Sequence, residues 1–445
     1  MTDANLARLI DEGVTTIRLS YPDLHGIARG KEYPASFFDH LEKDGAAHCE
    51  AIMTVDLNHN VVSGFEHGFQ DILARPDAAT LARIPWDPDV AWCIADLERM
   101  DGTPYGVDSR GALKRAVAEY EALGLGITPV MGPELEFYLC EPDPSAEWGY
   151  RRYVDNPSHV YTVGSVADPR GVLREMLHAC ADLGLGAYAA NHEFGRAQYE
   201  INLRHSDALS ACDRAFLFKT TVKEMAARHG LLATFIGKPW NDDEGSGFHL
   251  HMSLGGEGGS NLLNDADGPE GLSKLCHHFL AGILEHGPAL MPFFNPTTNA
   301  YRRIHEEALV PTLVSWGHDN RLCLARVPRE RGGATRVELR LGDGSSNPYL
   351  TAAAALFAGL DGIDRELEPP APMAGLIYEL PEAADCTPLP RTFDAALEAL
   401  DADPLIADAM GEELLRTFRT IKGAELDRAK RTVTDWEFRE YTHHL

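Results

Sequence analysis

The chain has 445 residues, 44% of them hydrophobic, enough for a large core and for up to three domains at roughly 150 residues each. It carries 40 Lys and Arg against 68 Asp and Glu, a formal net charge of −28; this argues against nucleic acid or an anionic membrane as partner, but leaves room for a small anion held by local arginines. No run approaches the ~18 apolar residues of a membrane span, the opening MTDANLARLIDEG lacks the plan of a signal peptide, and the 8 scattered cysteines, with no CxxC pair, read as reduced thiols of a cytoplasmic protein.

Residues 1–105 read as a small α+β unit. A short helix is expected over Asn5–Asp11. The run TTIRLSYPDLHGIARGKEYP is expected to form a β-hairpin around its Pro-Asp-Leu-His-Gly turn, and HCEAIMTVDLNHNVVSGFEHGF another strand and loop. The turn-rich DGTPYGVDSR marks a boundary, with a second unit over 106–445. In that unit one plan recurs three times: an amphipathic helix, a Gly stop suited to a left-handed C-cap, then a strand. It begins at LKRAVAEYEALGLG, at VLREMLHACADLGLG and at AFLFKTTVKEMAARHG. The LGLG pieces follow helices instead of opening them, so they are not dinucleotide fingerprints. The last ~85 residues read as mostly helical, broken by a Pro-rich stretch at Glu368–Pro372.

Four strand-like segments carry polar residues spaced by two. GPELEF sets Glu134 and Glu136 on one face, and YEINL sets Glu200 and Asn202. GFHLHMSL sets His249, His251 and Ser253, and TRVELRL sets Arg336, Glu338 and Arg340. Any one of these is what a half-solvated surface strand looks like. Together they carry Glu, His, Arg, Asn and a single Ser, but no Lys, which is not the make-up of a solvated face. Like charges at i and i+2 repel unless a cation lies between them. Several carboxylates with imidazole suit a hard divalent ion, Mg²⁺ or Mn²⁺, better than zinc. Glu193, seven residues before Glu200, can be turned back to the same place by the intervening Gly-Arg-Ala-Gln. Arg303, Arg321, Arg326, Arg336 and Arg340 follow within one stretch, each offering a planar donor fork for phosphate or carboxylate oxygens. Divalent metal ligands together with clustered arginines point to phosphoryl transfer from a nucleotide.

The same residues carry a family resemblance. GPELEF, NHEFGRAQYEIN, KPWNDDEGSGFHLHMS, NPTTNAYRRI and RVELRLGDGSSNPYLTAAAALFAGLDGI are similar, in order and over nearly the whole chain, to the metal, nucleotide and arginine segments of the glutamine synthetase superfamily. The resemblance implies an α+β fold: a small N-terminal β-grasp-like domain and a large catalytic domain with a curved antiparallel sheet flanked by helices. It implies that Glu136, Glu193 and Glu200 hold one metal and that Glu134, His249 and Glu338 hold a second. Arg303 and Arg340, with the Gly245 backbone, would bind glutamate. Arg321, Arg326 and Arg336 would contact ATP phosphates, with His251 and Ser253 flanking the nucleotide; Arg303, Arg321 and Asp56 would take part in catalysis. The implied assembly is a homo-oligomer of stacked rings, commonly a dodecamer, whose active sites are shared between subunits.

The chain departs from the glutamine synthetase pattern in places. A Glu is expected six residues after Arg303, where it helps bind and deprotonate ammonium; here that position is Leu309, with Glu306 and Glu307 close by. Glu244 stands where a small or amide residue is usual, and Asp56 matches the N-terminal aspartate motif only with a one-residue shift. WGHDNR (Trp316–Arg321) looks more like the γ-glutamylpolyamine and γ-glutamylamide synthetases of the superfamily. An apolar side chain in place of a carboxylate disfavours a small hydrated cation and favours an amine with carbon to bury. The expectation is therefore an ATP-dependent ligase joining glutamate to a small organic amine, with ammonia-using glutamine synthetase and an inactive structural or regulatory relative as alternatives. Tyr378 matches a position that is modified in some bacterial members and is read as structural.

Overall fold

Helix α1 (Thr2–Asp11) opens the chain, in a computed structural model that describes residues 2–155, 160–305 and 308–445. The first five strands are β1 (Thr16–Pro22), β2 (Ala28–Pro34), β3 (Ala46–Cys49), β4 (Asp71–Arg83) and β5 (Val90–Arg99). They form one sheet in the order β2-β1-β5-β4-β3, flanked by α2 (Phe38–Asp44). β1 and β2 are the expected hairpin, antiparallel from Thr16↔Pro34 to Pro22↔Ala28. β1 runs parallel to β5, so this small sheet is mixed. β5 is buried over most of its length, which is why VAWCIADL is nearly continuous in apolar residues and shows no alternation.

The helix–Gly–strand plan appears three times. α3 (Ser109–Ala122) leads to β6 (Thr128–Pro142). α4 (Val172–Asp182) leads to β8 (Ala187–His192) and β9 (Gln198–Leu203). α5 (Ala208–Arg228) leads to β11 (Leu232–Thr234). Gly124, Gly184 and Gly230 end these helices at φ of 67°, 82° and 68°, backbone that side chains with a Cβ rarely adopt. Two short strands, β7 (Tyr150–Arg152) and β10 (Ser206–Asp207), border β6. The chain continues through β12 (Gly247–Gly255), α6 (Lys274–Glu285), α7 (Gly287–Phe294), β13 (Trp316–His318), β14 (Ala325–Val327) and β15 (Val337–Asp343).

These strands make a ten-stranded curled sheet, in the order β13-β14-β15-β12-β6-β9-β8, with β7, β10 and β11 also pairing with β6. It is antiparallel except at β13–β14, where a left-handed residue, Asp319 at φ 53°, begins the turn that lays Ala325–Val327 alongside β13 in the same direction. α8 (Pro348–Asp364) is apolar on nearly all sides and correspondingly buried, packed on α3 and α6. The Pro-rich stretch after it contains no α-helix, and α9 (Phe393–Asp401), α10 (Pro404–Met410), α11 (Glu412–Arg431) and α12 (Asp435–Tyr441) complete the chain.

Candidate active site

β6 places the acids because it changes partner midway. Thr128–Leu135 pair with β12, and Glu136–Tyr138 pair with β9. Residues directly opposite one another in an antiparallel pair share a face. Glu134 thus faces His249 across β12, while Glu136 faces Glu200 across β9. On the other side of β12, His251 stands opposite Glu338 of β15, and Arg326 of β14 stands opposite the same Glu338.

These side chains open into one cleft of about 570 Å³. Glu134, Glu136, Glu193, Glu200, His249, His251 and Glu338 line it, with Arg303, Arg321, Arg326, Arg336, Arg340, Gly245 and Leu309. Ser253 lines an adjoining cavity of about 520 Å³, which shares Glu134, His251 and Arg336 with the cleft.

One group of carboxylates is Glu136, Glu193 and Glu200. Glu136 accepts hydrogen bonds from the Gly247 amide and the Gln198 side chain, both at 2.7 Å. Glu193 accepts one from Asn191 at 2.6 Å, and Glu200 one from Asn202. Burial, and then the neighbouring Glu136, push Glu193 up to about 7. Burial and the charges of Glu134, Glu136 and Glu193 also raise Glu200 well above the usual carboxylate range. Acids that suppress each other's ionisation in this way are arranged for a cation.

The second group is Glu134, His251 and Glu338, whose ligating atoms all lie within 4.8 Å of one another. His251 Nε2 is 3.0 Å from Glu134 Oε1. His249, the imidazole expected here, stands beside them, with Nδ1 3.5 Å from Glu134 and 3.9 Å from Glu338. Glu338 is buried and receives Arg340 Nη1 at 2.6 Å and Arg326 Nη1 at 2.5 Å. Burial opposes its ionisation, but Arg340, the two histidines and Arg326 outweigh it and bring the group down to about 2. The oxygen-rich donors with imidazole fit hard divalent cations.

The arginines reach the cleft from β14, from β15 and from the chain outside the strands. Arg303 is buried, its Nη2 donating to Asn295 Oδ1 at 3.0 Å and to the Leu341 carbonyl at 2.7 Å, while its Nε has no partner among the described residues. Gly245 lies so close that a Cβ there would fall 2.7 Å from Arg303 Cβ. Arg336 Nε meets His251 Nδ1 at 3.1 Å, and Arg340 Nε donates to the Arg321 carbonyl at 3.1 Å.

Asp56 does not line the cleft of its own chain. Its Oδ1 accepts the amides of Asn58 and Asn60, and its Oδ2 pairs with Arg428 of α11 at 2.5 Å. Leu309 is half-exposed and lines the cleft, as do Ala308, Val310 and Phe194. The Tyr378 hydroxyl donates to the Val310 carbonyl at 3.3 Å and so steadies this wall. Glu306 and Glu307 lie outside the described residues. Glu244 lines the cleft, and its carbonyl accepts from the Tyr138 hydroxyl at 2.8 Å. Two cleft residues escape the sequence reading although their spacing signals them: Gln198 stands two before Glu200, and Asn191 two before Glu193. Lys238, which opens the KPWNDDEGSGFHLHMS segment, also lines the cleft, and its Nζ donates to the Asp243 carbonyl.

Comparison with known proteins agrees with this geometry. Residues 106–441 match the family described as "Glutamine synthetase, catalytic domain". The chain is 35% identical to a gamma-glutamylethanolamide synthetase, GlnA4, of Streptomyces coelicolor, over 96% of this chain and 92% of that protein. It is 33% identical to a glutamine synthetase of Methanococcus maripaludis, over 96% of each. Among solved structures, a GmaS/ADP complex superposes with a TM-score of 0.88 at 33% identity, covering 100% of both chains. A matched catalytic domain and relatives of this similarity along nearly the full length mean that the chain belongs to the glutamine synthetase family and is an ATP-dependent ligase.

Proposed function

We propose that the chain joins the γ-carboxyl group of glutamate to an organic amine, through a γ-glutamyl phosphate formed from ATP. The observation that carries this reading is Leu309, which puts a half-exposed apolar side chain in the wall of a cleft that Ala308, Val310 and Phe194 also line. Ammonium is captured by charge and hydrogen bonds alone, whereas an amine with a carbon body gains from covering such a wall. The 35% identity to a gamma-glutamylethanolamide synthetase supports the same reading.

Arg303 and Arg340 are proposed to grip the glutamate carboxylates, the unpaired Nε of Arg303 being free to donate. Arg321, Arg326 and Arg336 would meet the phosphates, with His251 and Ser253 beside the nucleotide. Glu136, Glu193 and Glu200, and Glu134, Glu338 and an imidazole from His249 or His251, would hold two divalent cations, Mg²⁺ or Mn²⁺, which when bound neutralise phosphate charge. The chain's own part is to fix the acceptor carboxylate near the terminal phosphorus and to balance charge on the transferred group. In the first step the carboxylate oxygen bonds to phosphorus and ADP leaves. In the second the amine nitrogen bonds to the acyl carbon, the C–O bond to phosphate breaks, and the nitrogen's proton leaves with the phosphate as hydrogen phosphate. Asp56, which does not line its own cleft, is proposed to complete the cleft of a neighbouring subunit in a ring-shaped homo-oligomer; a monomeric mass by light scattering for fully active protein would contradict this.

The experiment is phosphate release from ATP and glutamate with either ammonium or a panel of primary amines, with identification of the products. An amine should exceed ammonium in kcat/KM by at least about tenfold, the equivalent of one well-placed contact. Efficient glutamine formation with no amine giving a faster reaction would make this a glutamine synthetase in the strict sense.

A further inference from the structure

A second cavity, of about 680 Å³, shares no lining residue with the cleft. It lies between α6, the start of β13 and the irregular chain that follows α8. Its walls are apolar: Leu284 from α6, Trp316 from β13, and Pro372 and Met373 from the Pro-rich stretch. Glu285, Glu368, Glu382 and Asp385 line it as well, and all four are exposed; among the described residues that line it there is no Lys, Arg or His. The size is that of a small-molecule pocket, and an apolar interior with an anionic rim matches a cation that has a carbon body.

The walls are tied to Arg321 and Arg326, the arginines proposed above to meet the phosphates. Trp316 Nε1 donates to the Pro370 carbonyl at 2.6 Å, and the Met373 amide donates to the Trp316 carbonyl at 2.8 Å. On the other wall, the Val314 amide donates to the Thr387 carbonyl at 2.8 Å. β13 runs straight into the turn that holds Asp319, Asn320 and Arg321. The Asn320 side chain donates to the carbonyls of Met373 and Gly375 at 3.2 and 3.1 Å. Asp319 grips Arg326 at 2.6 Å, and Arg321 lines the cleft. Gly317 packs so tightly under Met373 that a Cβ there would fall 2.2 Å from its carbonyl oxygen. A ligand that parts these walls must therefore pull on the turn carrying Arg321 and Asp319.

We propose that this cavity binds a small organic cation with an apolar body, and that its filling alters nucleotide binding through Arg321 and Arg326. The proposal does not rest on the choice of amine as acceptor. The probe is benzyltrimethylammonium, which has no N–H and cannot be acylated, so its binding is separable from turnover of any amine substrate.

Binding is read by calorimetry on the full-length protein as it assembles, together with KM for ATP at saturating probe. Two variants are compared with the unmodified chain. Ala374→Trp fills the mouth of the cavity from an exposed position, and Glu382→Gln with Asp385→Asn discharges the rim. The probe should bind the unmodified protein saturably. It should bind Ala374→Trp at least about tenfold more weakly, and the discharged rim about threefold more weakly, as loss of a charge–cation contact predicts. Benzyl alcohol, the neutral comparator, should bind more weakly than the probe. KM for ATP should shift with the probe in the unmodified protein and stay unmoved in Ala374→Trp, whose turnover without probe is unchanged. Equal binding of the probe to Ala374→Trp, or equal binding of benzyl alcohol, would overturn the site. Binding without any change in KM for ATP would overturn the coupling.

Discussion

An ammonium ion has no carbon to bury, so a cleft that selects it must supply acceptors at the point of capture, and Leu309 supplies none. Leu309→Glu should therefore raise kcat/KM for ammonium relative to the best amine by roughly tenfold, the worth of one charge-assisted hydrogen bond. The variant should fold normally, because the side chain is half-exposed. An unchanged ratio in competition assays would show that position 309 does not set the nucleophile. At this scale most of the cleft is legible before any coordinates, because strand alternation alone puts Glu134 with Glu136, His249 with His251, and Arg336 with Glu338 and Arg340. Which histidine faces the acid pair is not legible. The two share a face, and the choice depends on a register shift between Phe248 and Leu250 that sets His251 opposite Glu338. The grip of Asp319 on Arg326 is equally hidden, because it comes from a turn and not from a periodic element.

Elements whose signal is local are read correctly and those defined by pairing are not. The hairpin of β1 and β2 and the three helix–Gly–strand units follow from turn residues and helix stops. β4 carries Pro76, which argues against an interior strand, but β3 pairs only with Asp71–Ala74, so the proline lies beyond that partner and no ladder donor is missed there. His286, between α6 and α7, illustrates a contact no local pattern announces. Its Nδ1 lies 2.6 Å from Asp403, the cap of α10, and its Nε2 lies 3.0 Å from Asp361 of α8, which Arg365 also meets at 2.7 Å. A carboxylate at each ring nitrogen favours the protonated ring, in which both nitrogens donate. Burial lowers its pKa, but the bonds to Asp403 and Asp361 outweigh burial and raise it above the ordinary value of 6.5. A raised folded-state pKa gives stability that is fully present below the unfolded value and lost as pH rises through the folded one. His286→Gln should thus cost about 2 kcal/mol at pH 6, and the gap from the unmodified chain should narrow from pH 7 to pH 9 in thermal melts. A gap constant across that range would mean that the imidazole is neutral in the folded protein.

One hydrophobic core runs through both sheets, and charge is buried where they meet. Arg110, in the first turn of α3, is almost fully buried. It pairs with Asp77 of β4 at 2.8 Å, Asp96 of β5 at 2.6 Å and Asp213 of α5 at 2.8 Å, and Tyr349 of α8 donates to the same Asp213 at 2.7 Å. One guanidinium thus joins two of the five strands of the small sheet to two helices of the larger unit. Asp108, the N-cap of α3, adds a bond from the Leu97 amide of β5 at 3.2 Å. The sequence shows the turn-rich stretch before α3 but not this knot, which joins residues a hundred and more apart in the chain. Arg110→Met keeps most of the volume and removes the charge, leaving three acids facing one another with Lys114 as a partner for Asp96 alone. Breaking a buried pair from one side should cost about 3–5 kcal/mol at neutral pH. Asp77, which Arg110 holds below the usual carboxylate range against the effect of burial, will then rise above its unfolded value, so the folded variant takes up a proton and its deficit should shrink as pH falls from 7.5 to 5.5. Urea midpoints of the two proteins at both pH values test this: a deficit that is equal or larger at pH 5.5 would mean that Asp77 does not depend on Arg110 for its charge.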